Sequence, residues 1–286
     1  MQVTSVHDNR AMRDILLVGN YCHDTIVRRD GTLFETLGGA VAHAGAVLAA
    51  LGVDFDVVAK VGSDFRYADE VVRLPMIVPQ ARTTAFLDDY RESDRVATLQ
   101  AAAPPIDAAD LGGSPCRAAL VCGIAGEIGA ETVARVRELA ELALGDAQAF
   151  VRRVDAGGRI SLREPELALH AEMNRLDWLK LSLSEARVLE PSSLGCNAVV
   201  TDGDRGCFLL QHGRETRVPA FPAVEVDPTG AGDCFLAGFA WGLLRGWGPA
   251  RAALFGNFCG ALAVAHHGVP KLTLADLAAF TSATNG

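Results

Sequence analysis

The stretch that most constrains this chain is Asp227-Pro228-Thr229-Gly230-Ala231-Gly232-Asp233, followed at once by the apolar run Cys234-Phe235-Leu236-Ala237-Gly238-Phe239. Pro228 and two glycines hold off regular structure until about Gly232, after which the apolar run predicts a helix. Three small residues therefore stand at a helix N-terminus, where unpaired N–H groups and the positive end of the macrodipole gather anions. One carboxylate, Asp233, falls in the first turn of that helix. An anion cradle beside a base is what phosphoryl transfer to a hydroxyl requires. The amides of Gly230, Ala231 and Gly232 can neutralise the transferring group, and Asp233 can accept the hydroxyl proton. The plainer reading of Asp233 is an acidic residue complementing the helix dipole.

Along the rest of the chain, short apolar runs alternate with helical patterns. Asp14–Asn20, Phe55–Val61, Ala118–Cys122, Ala147–Val151, Trp178–Ser182 and Ala198–Thr201 read as buried strands. Ala40–Leu51, Glu131–Leu144, Ser184–Leu189, 230–245, 249–266 and 274–280 read as helices. This alternation predicts a parallel sheet covered on both faces. Two polar β-prone ribbons, about 20–38 and 82–99, do not share the rhythm. The first is a hairpin turning at Asp30-Gly31. Together they predict a small lid over the sheet edge where strand C-termini place ligands, on a single domain spanning 1–286.

With 286 residues, half of them hydrophobic, the chain can bury a sizeable core. Its 26 basic against 35 acidic residues, with no Lys/Arg block, argue against nucleic acid or an anionic membrane as partner. The seven scattered cysteines include no Cys-x-x-Cys pair and read as reduced, buried thiols of a cytoplasmic protein. The polar stretch Met1–Arg13 has no signal-peptide core, and no apolar run is long enough to span a bilayer. No Gly-x4-Gly-Lys-Ser/Thr loop and no His-Arg-Asp motif is present, so the other common kinase signatures are absent.

The string Asp227–Phe235 resembles the C-terminal signature of the PfkB, or ribokinase-like, family of small-molecule kinases. The resemblance implies a three-layer α/β/α fold with a mainly parallel sheet and a β lid. It also implies ATP as donor, Mg²⁺, and in many members a monovalent cation such as K⁺. By position it makes Asp233 the catalytic base and Gly230, Ala231 and Gly232 the anion hole, with Asp227 and Thr229 near the monovalent cation. Ser182-Leu183-Ser184-Glu185 falls where the family has Asn-x-x-Glu, which puts Glu185 near Mg²⁺. The same four residues also spell a helix capping box that needs no metal.

On the acceptor side the resemblance assigns Asp24 to two neighbouring hydroxyls of a polyol, a pairing that rejects analogues lacking them. Asp24 read without it simply opens the hairpin. Gly38-Gly39 takes the family's hinge position, so Gly39 borders the acceptor; alone, it is a loop before a helix. Sugar kinases of the family often carry Lys and Asn after that pair, where this chain has Ala40 and His43, which argues against ribose. His43 is open between a substrate contact and an ordinary helix histidine, and Arg152 between an acceptor or phosphate contact and a surface arginine. Thr201, Gly203 and Gly206, after a short strand, fall under the nucleotide, and Asn257 near the adenine.

The likeness narrows to the myo-inositol kinase branch through Gly19–Asp24, Glu35–Ala40, Lys60–Tyr67, Gly126–Ile128, Gln148–Arg152, Leu179-Lys180-x-Ser182 and Gly256-Asn257. Lys180 enters the nucleotide side through that match. The expected activity is transfer of phosphate from ATP to one hydroxyl of a cyclitol, with myo-inositol first. The alternatives are a nucleoside or sugar kinase of the same family and a non-catalytic ligand-binding regulator. Exposed lid ribbons also imply a homodimer paired by lid edges.

Overall fold

The computed structural model describes residues 12–91 and 96–284, with side chains described up to residue 280. Arg95, read as part of the second ribbon, lies outside the described residues. The chain begins with β1 (Arg13–Val18), whose side chains alternate between two cores. Ile15 and Leu17 face one apolar layer, Leu16 and Val18 the other, and all four are fully buried. A hairpin of β2 (Cys22–Val27) and β3 (Leu33–Gly38) follows, then α1 (Ala40–Ala50) and β4 (Phe55–Val58).

The run read as one strand over Phe55–Val61 is two. After β4 the chain leaves the sheet at Ala59, and β5 (Lys60–Gly62) pairs with β6 (Met76–Val78). The cause is Asn20, whose side-chain oxygen takes the Lys60 amide at 2.7 Å and draws it from the ladder. Next come β7 (Thr84–Asp89), β8 (Val96–Ala101), β9 (Cys116–Val121) and α2 (Ala130–Leu139).

Two further expectations differ from the structure. The helix expected through Leu144 stops at Leu139, and Ala140–Asp146 is β10, paired in parallel with β9. Burial of Ala143 and Leu144 against the neighbouring strands outweighs the helical propensity of the run. Gln148–Val151, expected inside a strand, is the helical turn α3. It starts because the Asp146 carboxylate accepts the Gln148 amide at 3.2 Å, as such side chains do where a strand gives way to a turn.

The remaining elements are β11 (Arg152–Val154), β12 (Ile160–Leu162), α4 (Leu167–Met173), β13 (Trp178–Ser182), α5 (Leu183–Leu189) and β14 (Asn197–Thr201). After them come β15 (Cys207–Gln211), β16 (Arg214–Val218), α6 (Ala231–Leu244), α7 (Pro249–Val264) and α8 (Leu274–Thr284). The hairpins β11–β12 and β15–β16 and the helix α4 carry no sequence expectation.

The large sheet runs β16-β15-β14-β13-β10-β9-β1-β4, parallel from β4 to β14 with an antiparallel hairpin at one end. Helices α1, α6 and α7 cover one face, and α2 to α5 the other, giving three layers. A separate sheet, β3-β2-β7-β8, contains both polar ribbons and stands over the C-terminal ends of β1, β9, β10 and β13. No helix among the described residues is long and apolar enough to cross a membrane. All seven cysteines are free, and six are buried.

Candidate functional site

Between the four-stranded sheet and the large sheet lies a cleft of about 380 Å³. Asp24, Gly39, His43, Arg152, Lys180, Glu185, Thr201, Thr229, Gly230, Gly232 and Asp233 all line it. A second groove of about 290 Å³ takes in Thr201, Gly203, Gly206, Ala231, Gly232 and Asn257. The two share Thr201, Pro228 and Gly232, so the segment 230–232 is the wall between them. Of the residues assigned a binding or catalytic role from the sequence, Asp227 alone borders neither of these two spaces. Both its oxygens serve the backbone, Oδ1 accepting from Thr229 N at 2.9 Å and Oδ2 from Gly268 N at 3.2 Å. It clamps the loop that presents Thr229 and Gly230.

Gly230 caps α6 with a left-handed backbone, φ 78°. A Cβ there would collide with the His43 imidazole, so the loop can close over α1 only with glycine in this place. His43 is buried, and its Nδ1 has no hydrogen-bond partner among the described residues. Burial pulls its pKa down to about 4, against the opposing pull of Asp227, so the ring is neutral around pH 7.

Asp233 opens α6 at the floor of the cleft. Burial first, and then the negative charge of Asp146, push its carboxyl up to about 7, while Lys180 and Arg152 pull it back. Two neighbours to which the sequence reading gave no role act on it, one by a hydrogen bond and one by its charge. Gln148, from α3, donates from Nε2 to Asp233 Oδ1 at 3.1 Å. Asp146, at the end of β10, is register partner to Lys180 on β13, and the two join in a buried ion pair of 2.9 Å. Burial alone would lower the Lys180 pKa, but Asp146, Glu185 and Asp233 together raise it and keep the ammonium charged. The sequence signal was present. A lysine inside an apolar strand and an Asp-x-Gln inside an apolar run both need buried partners.

The resemblance puts Lys180 on the nucleotide side. In the structure it lines the cleft beneath the helix start, where a Cβ on Gly232 would sit 2.6 Å from its Nζ. Arg152 is no surface arginine, since it lines the cleft and donates to the Ile124 carbonyl at 3.1 Å. Glu185 takes the capping-box geometry, its Oε2 accepting from Ser182 N at 2.7 Å while its own amide donates to Ser182 Oγ at 3.3 Å. It remains a cleft residue.

Across the cleft, Asp24 on β2 lies flat against Gly38 and accepts from the Cys22 thiol at 3.0 Å. Asn257 donates to the Val218 and Pro219 carbonyls at 3.3 and 2.8 Å, which fixes the backbone leaving β16 along the second groove. The rest of that groove is largely apolar, with Phe221, Phe235, Ala261 and Val264. No ready-made cluster of three or more metal-ligating side chains occurs among the described residues.

Residues 176–273 match the model of the pfkB family carbohydrate kinases. The chain is 37% identical over 273 residues to an inositol 3-kinase of Arabidopsis thaliana, covering 92% of this chain and 77% of that protein. It is 42% identical over 276 residues to an inositol 3-kinase of Oryza sativa subsp. japonica, covering 89% and 69%. A solved pyrophosphate-dependent kinase in the ribokinase family, complexed with a pyrophosphate analog and myo-inositol, shares the fold with a TM-score of 0.80 at 23% identity, over 93% of this chain and 99% of that one. The chain belongs to the PfkB family of carbohydrate kinases and is a phosphotransferase that acts on an alcohol group.

Proposed function

We propose that the chain phosphorylates one ring hydroxyl of myo-inositol from ATP, with Asp233 as general base. The observation that carries the reading is the part-buried carboxylate of Asp233, held by Gln148 and facing the lid's Asp24 across one cleft. A carboxyl at about 7 is half ionised at neutral pH, which suits a group that takes a proton from an alcohol. Asp24 receives hydroxyls of the ring and orients the one to be phosphorylated. Gly39 and His43 shape that end of the cleft, and Arg152 lies close enough to Asp233 to depress its pKa.

The donor fits the second groove. Its apolar wall suits a purine, and Thr201, Gly203 and Gly206 lie where ribose and phosphates would pass; Asn257 shapes the floor. That wall would be idle for pyrophosphate, so it favours a nucleotide. The terminal phosphate would then meet the wall between the two spaces, where the Gly230, Ala231 and Gly232 amides and the Lys180 ammonium would offset its charge, the Ala231 amide by giving up its 3.4 Å bond to the Pro228 carbonyl. A divalent cation bound with the phosphates would supply further neutralisation, and Glu185 is the cleft residue to hold it, while Thr229 would border a monovalent cation. Asp227 bears on any K⁺ site through the loop it clamps. A lid-paired homodimer would use the outer edge of β3, because part of the β8 edge is covered within the chain.

A panel of phosphoryl acceptors with ATP and pyrophosphate, read by product formation, tests the reading. The relatives' names make the 3-hydroxyl of myo-inositol the first position to check by NMR of the product. Turnover of a nucleoside with no turnover of any cyclitol would sink the acceptor assignment. Activity with pyrophosphate but not ATP would sink the donor assignment.

A further inference from the structure

The hairpin β11–β12 grows directly out of the turn that carries Gln148, and it reaches across the cleft to the lid. Its first residue, Arg152, and its last, Leu162, are register partners, and both line the acceptor cleft. Its tip meets β8, the edge strand of the lid sheet. The Leu99 amide donates to the Gly158 carbonyl at 2.7 Å, and Thr98 bridges to Arg159. Gly158 has φ 80°, and a Cβ on it would collide with the Leu99 carbonyl. The same strand contributes Ala97 to the cleft. Ile160 and Leu99 pack on one apolar cluster, so the crossing has an apolar anchor as well as a hydrogen bond.

We propose that this hairpin is a specificity wall: clasped to the lid at Gly158–Leu99, it holds Leu162 against the acceptor and admits only a compact, unsubstituted polyol ring. The proposal rests on the cyclitol-kinase reading for its substrate. Its physical basis is that an edge strand presents unpaired backbone groups, and the hairpin uses them to close a side of the cleft that a two-ribbon lid leaves open. A bulky or alkylated ring must displace Leu162, and Leu162 cannot withdraw while the tip is fastened.

Two variants test it in the full-length protein. Gly158→Val is expected to raise the acceptor KM at least tenfold and to leave the ATP KM within twofold. It should also speed hydrogen exchange of the Leu99 amide at least tenfold. Leu162→Ala, which leaves the clasp intact, is expected to raise the kcat/KM ratio of an O-methyl inositol to myo-inositol at least tenfold. An acceptor KM within twofold of the parent in Gly158→Val, despite a deprotected Leu99 amide, would overturn the proposal. So would an unchanged ratio in Leu162→Ala, and this second variant decides the matter if Gly158→Val does not fold. If the parent phosphorylates no cyclitol, the acceptor reading fails by itself. Exchange at Leu99 still tests the clasp in that case, and unchanged protection in Gly158→Val refutes it.

Discussion

Gln148 and Asp233, 85 residues apart, are joined by one hydrogen bond of 3.1 Å from amide to carboxylate. Gln148 sits on a single helical turn between β10 and the hairpin, so Asp233, the proposed base, is aimed by an element that belongs to the opposite layer of the fold. A neutral amide donor fixes the orientation of the carboxylate and, by hydrogen-bonding its charged form, favours ionisation without adding a full positive charge. Gln148→Leu should therefore keep the fold and the ATP KM while kcat falls about tenfold to a hundredfold, the usual cost of a misplaced general base. Gln148→Glu should be worse, because it puts a like charge beside Asp233. Steady-state kinetics with both substrates varied distinguishes these outcomes from a loss of acceptor binding.

The raised Asp233 pKa has two consequences. kcat/KM for the acceptor should climb with pH through about 7, as the base ionises. The stability effect has the opposite sign. Folded Asp233 holds its proton up to about 7, whereas the ordinary value is 3.8, so its contribution to stability is intact below 3.8 and is lost as pH rises through 7. Asp233→Asn imitates the protonated form. It should be inactive, yet melt higher than the parent at pH 8, with the gain vanishing at pH 4. Melting curves at the two pH values check the sign.

His43 and Gly230 predict a coupled pair. Gly230→Ala brings a Cβ into the imidazole and also strains a left-handed backbone. It should lower stability by more than about 1 kcal/mol and kcat by at least about tenfold, since the anion-hole amides hang from this residue. His43→Ala alone opens the acceptor end and should chiefly raise the acceptor KM. In the double variant the steric part disappears and the backbone part stays. The double-mutant cycle should therefore show a favourable coupling of about 0.5–3 kcal/mol, the range found for residues in contact.

How far the site was legible follows from where its chemistry lies in the chain. The proposed anion-hole amides and Asp233 are contiguous, so one heptad displayed the helix start that the structure has and the carboxylate proposed as base. Lys180, Asp146 and Gln148 come from two strands and a turn, and become a unit only when β10 and β13 adopt the register that pairs Asp146 with Lys180. No local pattern encodes that register. The same gap produced the misread helix over 131–144. Its first half has a charged face with helical spacing, but Ala140–Asp146 is decided by neighbours on β9 and β13 that are distant in sequence. The hairpin 152–162 went unread because its purpose, a hold on the lid, lies outside itself.

The Asp146–Lys180 pair allows a charge needed for folding to be separated from a charge needed for chemistry. Both groups are buried, so Lys180→Met leaves Asp146 without its partner and should destabilise by about 3–5 kcal/mol. Activity lost in that variant says nothing about mechanism. Asp146→Asn with Lys180→Met removes both charges, and a buried pair replaced by neutral groups is often close to neutral in stability. The double variant should accordingly recover most of the melting temperature. Its kcat should stay at least about a hundredfold down, because the ammonium beneath Gly232 is no longer there to offset charge on the transferring group. Recovery of kcat together with stability would show that Lys180 serves only to neutralise Asp146. Recovery of stability alone would assign it to the phosphoryl group.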